Sequence, residues 1–244
     1  MTMPTEFDDL LQNPALLRAA LEFNDLAAPD FAALTPDAAE FRPLLAQLAE
    51  NPRVRRFLYT QAPGKTSLWC FGPSPNRLAL LPPPLLERLL RYWNAAVWAE
   101  DLARIIDKKR LLLIRARVGP EVCRYAARRG RFQLGALRAR FRPKEEGEIP
   151  AIPADMDMEE WLMKTFPRPG EKMLALCIAH WPEALRAAWQ TRWKIREQSA
   201  IIRASRRDAA AFPSFPAAWR WLEKIFTSEV APEWQACFNS RISA

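Results

Sequence analysis

Proline is the residue that most limits how this chain can fold. The sequence contains 22 prolines but only 7 glycines in 244 residues. Because an internal proline removes a helical hydrogen bond and clashes with the preceding turn, a long uninterrupted coiled coil is excluded. The few glycines disfavour doubly wound nucleotide-binding folds, whose phosphate loops and tight turns need this residue. The chain is therefore built from short elements, and its 50% of apolar residues are enough for a sizeable core.

Apolar residues recur with the helical period along most of the sequence, and several of these patterns begin at a proline. Asn13-Pro14 and Thr35-Pro36 each place a capping side chain before a proline at the first helical position. Two apolar stripes follow Pro82, one formed by Leu85, Leu86, Leu89, Leu90, Trp93 and Val97, and another by Leu102, Ile105, Ile106, Leu112 and Leu113. We predict that both stripes are packed helices of an irregular all-α multi-helix bundle, with a short extended segment near residues 66–72.

Composition divides the chain into four regions, which we expect to form one structural unit. Residues 1–60 form an acidic N-terminal helical region, and residues 61–142 form a basic helical core. Proline, glycine and charged residues cluster without periodicity at 143–155, which predicts a linker or long loop. Residues 156–244 contain seven of the ten tryptophans and are predicted to be a helical region that packs on the core.

Charge is distributed in blocks of opposite sign. Residues 1–50 carry nine acidic and two basic side chains, for a net charge of −7. Residues 87–142 carry 15 basic and five acidic side chains, for a net charge of +10, and residues 143–170 return to −4. The acidic and basic blocks either neutralise each other within the fold or face different partners.

Two sequence patterns suggest ligand chemistry but lack the residues that it needs. The run Gly64-Lys65-Thr66-Ser67 resembles the end of a phosphate-binding loop, but Tyr59 stands where that loop requires a glycine. A cluster of carboxylates lacks the glycine and the bidentate glutamate of a calcium loop. We interpret the first pattern as a surface turn and the carboxylates as helix N-terminal acids, which the helix dipole favours; they are Asp155, Asp157, Glu159 and Glu160.

The sequence contains one histidine, His180, which leaves no histidine pair for a zinc site and only one candidate base. Cys177 lies three residues earlier, but no orienting third group accompanies the pair, so we interpret His180 as a local capping or hydrogen-bonding residue. The cysteines form no CxxC motif and are interpreted as buried reduced thiols; they are Cys70, Cys123, Cys177 and Cys237. We therefore expect no catalytic, cofactor-binding or metal-binding residues, and no enzyme activity.

The start of the sequence, MTMPTEFDDLLQ, is acidic and lacks the basic and apolar regions of a signal peptide. No segment approaches about 18 consecutive apolar residues without a charge. These features predict a cytoplasmic protein without membrane insertion.

The basic block is the candidate binding surface, and three interpretations of it remain open. Its cations could form a solvated helix face, dock an acidic protein, or bind the phosphates of a nucleic acid. Nucleic acid is the least favoured of these, because aromatic residues are mostly not interleaved with the block and no helix-turn-helix or RNP-like pattern is present. The candidate protein-binding residues are Arg104, Lys108, Lys109, Arg110, Arg115, Arg128, Arg129 and Arg131.

The same part of the chain resembles a known family. The runs LALLPPPLLERLLRYW, from Leu78, and WAEDLARIIDKKRLLLIRARVGPEVCRYAARR, from Trp98, are similar in layout to the SctK/YscK/OrgA family of type III secretion. The resemblance covers residues 76–142, and more weakly residues 171–195, where MLALCIAHWPEALRAAWQTRW resembles the second half of that family. The family-like structural positions are Leu81, Pro82, Leu86, Leu89, Gly119, Glu121 and Tyr125.

This resemblance implies an all-helical, non-enzymatic adaptor of the cytosolic sorting platform of an injectisome. Such adaptors lie at the inner membrane beneath the secretion apparatus and bind no cofactor and no nucleic acid. They join the cytoplasmic domain of the ring protein SctD to the pod protein SctQ, and thereby hold the SctL stalk and the ATPase in place. The alternative that the charge pattern leaves is a basic helical protein that binds nucleic acid or acts in regulation.

Overall fold

The computed structural model describes residues 68–142, 156–193 and 215–238, together with positions 16, 19, 20 and 23. All regular secondary structure in these residues is helical and none is a strand, which confirms the predicted all-α class. The predicted linker at 143–155, the turn at 64–67 and most of the region 1–60 lie outside the described residues.

The described α-helices are named here in chain order. They are α1 (Pro83–Val97), α2 (Ala99–Arg104), α3 (Lys108–Val118), α4 (Pro120–Arg128), α5 (Leu137–Phe141), α6 (Met158–Lys164), α7 (Arg168–Ala179), α8 (Glu183–Arg192), α9 (Phe215–Ile225) and α10 (Gln235–Phe238). The 3-10 helices are Leu68–Phe71, Ser74–Leu80, Gly130–Phe132 and Pro232–Trp234, and a π-helical turn covers Phe226–Val230.

The described residues belong to two compact units. The central unit contains residues 82–180 and 215–233, and therefore includes α1 to α7 and α9. The terminal unit contains the described residues up to 81, together with 181–193 and 234–238. Each unit is described below by itself.

Helix α1 is the centre of the central unit. It begins directly after Pro82 with two prolines in its first turn. Proline costs no helical hydrogen bond there, because the N–H groups of the first turn have no partner within the helix. Its second half is buried all round, and it packs against α4, α7 and α9. Trp93 is fully buried and meets Phe141 of α5 edge-on, with ring centroids 5.0 Å apart. The first apolar stripe after Pro82 is thus the core that its periodicity predicts.

The second stripe is not packed as predicted. Helix α2 ends at Arg104, and the Asp107 side chain caps α3 by accepting a hydrogen bond from the N–H of Lys109 at 2.8 Å. Because the helix restarts at this cap, the residues on either side of it no longer share one apolar face. Ile106 is 93% exposed and Leu112 is 57% exposed. The prediction of a packed stripe was wrong for these two residues.

A glycine turn joins α3 to α4. Gly119 adopts a φ of +106°, in the region that side chains disfavour, and Pro120 opens the next helix. A Cβ at position 119 would lie 3.1 Å from Oε1 of Glu121, so the carboxylate of Glu121 rests against the glycine. A glycine therefore ends α3, and a proline begins α4.

Three of the clustered carboxylates lie at the start of α6. Asp157 caps the helix by accepting a hydrogen bond from the N–H of Glu159, and Glu159 and Glu160 occupy the first turn. Glu159 pairs with Arg117 of α3, and Glu160 pairs with Lys164 at 2.8 Å. The interpretation as helix N-terminal acids is confirmed for these three residues, whereas Asp155 lies outside the described residues.

The terminal unit is organised around the buried guanidinium of Arg77. It donates hydrogen bonds to the carbonyls of Phe71, Gly72 and Cys237 over 2.8 to 3.1 Å. The short extended segment predicted near 66–72 is instead a 3-10 helix over Leu68–Phe71, and Arg77 binds its last carbonyl. The guanidinium of Arg77 therefore donates hydrogen bonds to buried carbonyl groups, which a neighbouring strand would have done if this segment were extended.

Candidate functional site

The outward side of α3 carries cations around an exposed leucine. Lys108, Leu112 and Arg115 stand at i, i+4 and i+7, which places them on one side of the helix. All three are exposed, and so is Lys109 in the first turn. Together with Ile106, which precedes the helix, these residues are called the α3 surface below. The α3 surface therefore combines positive charge with exposed apolar side chains.

The cations of the α3 surface are not neutralised by the carboxylates that the structure describes. Among the described residues, no carboxylate forms an ion pair with Lys108, Lys109 or Arg115. Asp107 is the nearest acid in sequence, but it caps the helix and lies 3.7 Å from the half-buried Arg110. Arg110, one of the candidate protein-binding residues, therefore lies next to Asp107, the residue that caps its own helix. Arg104, another candidate, is exposed at the end of α2.

An apolar groove lies beside this surface, between α2, α3 and α4. It has a volume of about 280 Å³, and its walls include Leu102, Ala103, Leu111, Ile114, Cys123 and Ala127. Arg115 is the charged residue at its lining. Burial raises the pKa of the Cys123 thiol, and the nearby Arg115 opposes this effect. The groove was not predicted from the sequence, because its residues come from three helices and none of them is unusual alone.

The other three predicted cations do not join the α3 surface. Arg128 lies on the opposite side of α4, where it lines a second cleft of about 220 Å³ with Tyr92 and Glu229. Arg129 pairs with Glu229 at 2.5 Å, and the guanidinium of Arg131 lies 4.4 Å from the centre of the exposed Phe132 ring. The single basic face predicted from sequence is thus divided by α4 into two separate groups.

Two arginines of the basic block are structural. Arg138 is buried, pairs with Glu100, and donates hydrogen bonds to backbone carbonyls that include those of Gly130 and Arg131. Arg142 pairs with the buried Asp101, and burial lowers the pKa of Arg142. The number of cations in the block is therefore larger than the number that its surface presents.

The family-like positions hold the helices in place. Leu81, Leu86 and Leu89 are buried, and Pro82 occupies the N-cap position of α1. Tyr125 is buried against Tyr92, with ring centroids 5.0 Å apart, and its hydroxyl donates to the side chain of Gln133. Burial, together with the negative charge of Glu229, raises the pKa of Tyr125. Gly119 and Glu121 lie at the turn that joins α3 to α4, two of the helices that form the groove.

His180 makes local contacts. Its Nδ1 lies 2.7 Å from the carbonyl oxygen of Leu176, and its ring stacks on Phe215 with centroids 4.0 Å apart. The hydrogen bond that was expected of His180 is therefore present. Cys177 is fully buried, and this burial raises the pKa of its thiol far above the ordinary value. Such a thiol is a poor nucleophile, since the thiolate is the reactive form.

The four cysteines carry no disulfide, and Cys70 and Cys123 are half-buried while Cys177 and Cys237 are buried. Within the described ranges, no group of three or more metal-binding side chains comes together. The helices of this part of the chain include none with the length and apolar character needed to cross a bilayer.

Comparisons with family models, with curated proteins and with solved structures found no match to this chain.

Proposed function

We propose that this chain is a non-enzymatic adaptor of the type III secretion sorting platform. It joins the cytoplasmic domain of an SctD-like ring protein to an SctQ-like pod protein, at the cytoplasmic side of the inner membrane. The observation that carries the proposal is the α3 surface, where exposed Ile106 and Leu112 stand among cations that no described carboxylate pairs with. The resemblance of residues 76–142 to the SctK/YscK/OrgA family supplies the identity of the partners.

Charge and apolar area have different roles at such a surface. Lys108, Lys109 and Arg115 steer an acidic partner during encounter, because charge complementarity acts mainly on the association rate and on specificity. Leu112 and Ile106 hold the partner after encounter, because apolar side chains at the centre of an interface carry most of its energy. A partner that covers Ile106 and Leu112 would remove their apolar area from water, which is favourable.

The first experiment reverses the charge at the start of α3. Lys108→Glu combined with Lys109→Glu changes the net charge by four units and places acids at a helix N-terminus, where the helix dipole favours them. The fold is therefore expected to persist. The matched control is Arg220→Glu combined with Lys224→Glu, which makes the same charge change at exposed positions of α9.

Binding of the purified full chain is measured against the SctD-like cytoplasmic domain and the SctQ-like protein of the same bacterium. We expect the α3 reversal to weaken capture of one of them by about tenfold or more at about 150 mM salt, and the control to change it little. If the parent chain captures neither protein, the adaptor proposal is wrong. If both double variants bind like the parent, the adaptor stands but the α3 surface is not its docking site.

A salt titration with random duplex DNA tests the alternative function. A phosphate binder that makes several contacts loses affinity by orders of magnitude as salt rises from about 50 to about 200 mM. The adaptor is expected to bind duplex weakly at physiological salt. Tight binding that weakens steeply with salt, and that the α3 reversal abolishes, would favour a nucleic-acid-binding protein instead.

A further inference from the structure

We infer that the groove between α2, α3 and α4 receives an apolar side chain from an acidic amphipathic helix of a partner protein. This inference rests on the proposed function in one respect, which is that the partner is a protein. It adds the chemistry of the partner segment and the place where that segment binds.

The size and the lining of the groove suit an aliphatic side chain. Its volume of about 280 Å³ exceeds that of the roughly 150 Å³ apolar cavities that bind benzene in proteins. The mouth is apolar as well, because Ala103 and Ala127 are exposed and Leu111 is 42% exposed. One or two aliphatic side chains can therefore enter and remove this apolar surface from water, which is favourable.

The rim of the groove is positive. Arg115 lines it, and Lys108 lies on the same side of α3 as Leu111 and Arg115, at positions i, i+3 and i+7. Two neighbouring acids face other groups, since Glu100 pairs with Arg138 and Asp101 pairs with Arg142. A third acid, Glu121, raises the pKa of Cys123 in opposition to Arg115, and its carboxylate rests against Gly119. A partner segment is therefore favoured if carboxylates flank the apolar side chain that it inserts.

The partner segment is a helix because the groove offers no backbone to pair with. The walls are helices, and the described residues contain no strand edge that could pair with an extended segment. A bound segment must therefore satisfy its own backbone groups, which an α-helix does and an isolated extended peptide does not. Apolar residues spaced by three or four positions can then occupy the groove and cover Leu112 together.

The probe for this inference is a synthetic fluorescein-labelled helical peptide of about 15 residues, with leucines at i and i+4 between glutamates. A second peptide carries lysine in place of every glutamate. Binding of both to the full chain is measured by anisotropy. We expect the acidic peptide to bind and the basic peptide to bind at least about tenfold more weakly.

Cys123 reports on occupancy of the groove without any substitution. It lines the groove and is half-buried, whereas Cys70, also half-buried, lies in the terminal unit. Alkylation of both thiols by a maleimide at about pH 8 is followed by mass spectrometry. We expect saturating acidic peptide to slow modification of Cys123 by about fivefold or more and to leave the rate at Cys70 unchanged.

Ala127→Trp fills the groove from its exposed edge, and Ala187→Trp is the matched control at an exposed alanine of α8. We expect the first variant to weaken peptide binding by about tenfold or more and the second to leave it unchanged. Peptide binding that does not protect Cys123, or that survives Ala127→Trp in a folded protein, overturns the inference. So does equal binding of the acidic and basic peptides.

The adaptor proposal and the groove can fail separately. A chain that captures neither secretion protein but binds the acidic peptide with protection of Cys123 overturns the adaptor and leaves the groove site. Capture of a secretion protein that is equal for the parent and for Ala127→Trp, with Cys123 still reactive in the complex, overturns the groove and leaves the adaptor.

Discussion

The backbone N–H of Gly170 donates a hydrogen bond to Oδ1 of Asn94 over 2.7 Å, which joins the first turn of α7 to the buried half of α1. Asn94 is only 4% exposed, so this bond satisfies a polar side chain within the core. A Cβ at position 170 would lie 2.9 Å from the same oxygen and 3.2 Å from Cβ of Leu90. The two helices can approach this closely because residue 170 has no side chain.

Gly170→Ala is therefore expected to destabilise the protein, although alanine favours helices over glycine by about 1 kcal/mol. We expect a net loss of about 1–3 kcal/mol in the free energy of unfolding, measured by urea denaturation, because the added methyl overpacks the contact. Asn94→Ala makes room for that methyl. The double variant should then lose less than the sum of the two single losses, and simple additivity would contradict the proposed clash.

Arg77→Met tests the carbonyl cluster of the terminal unit. The substitution keeps much of the side-chain volume but leaves the buried carbonyls of Phe71, Gly72 and Cys237 without these donors. We expect a loss of about 3 kcal/mol or more in the free energy of unfolding, since each unpaired buried group costs about 1–3 kcal/mol. The control is Arg91→Met, which removes an exposed pair with Glu87 and should cost about 1 kcal/mol or less.

Ile106→Ser and Leu112→Ser should leave stability nearly unchanged. Both side chains are exposed, so neither substitution opens a cavity, and we expect changes within about 0.5 kcal/mol. Leu89→Ala, at a fully buried position of α1, should instead cost about 2–5 kcal/mol. Thermal unfolding of the three variants makes the comparison. A large loss at either exposed position would show that these side chains serve the fold and not a partner.

Because the Cys177 thiol is buried, we expect the protein to lose stability at alkaline pH. Burial raises the pKa of the folded thiol, whereas an unfolded cysteine ionises near pH 8.5. The contribution of the buried thiol is thus fully present below about pH 8.5 and declines as pH rises above that value, by up to about 1.4 kcal/mol per pH unit. Cys177→Ala should make the decline of the unfolding free energy between about pH 8.5 and 10 shallower.

Cys70→Ala is the control for that measurement. Cys70 is only half-buried, and burial raises the pKa of its thiol with water still in reach. Its removal should change the slope less than the removal of Cys177. An equal slope for the parent and for Cys177→Ala would contradict the role given to the buried thiol.

Much of the helical framework was predictable because its signals are local. A proline in the first turn starts α1 and α4, Gly119 ends α3, and Asp157 caps α6. Each of these signals acts through the backbone within a few residues, so a single sequence is enough to place it. The apolar stripe of α1 likewise follows from its period alone, since a helix must bury such a face.

The candidate site was only partly predictable, because exposure depends on residues far away in the sequence. Lys108 and Arg115 are exposed, but nothing local separates them from Arg138, which is buried and pairs with Glu100, 38 residues earlier. Ile106 and Leu112 are residue types that usually lie in a core, but in the structure both are exposed, one on each side of the cap at Asp107.

By itself, then, the sequence determined that the chain is helical, where several helices begin and end, and which block of it is basic. The tertiary structure decided which cations and which leucines reach water, that α4 divides the basic block, and that three helices leave an apolar groove beside α3. The physical reason is that hydrogen bonding and backbone sterics within a helix act over one turn, whereas burial is a property of the whole packed unit.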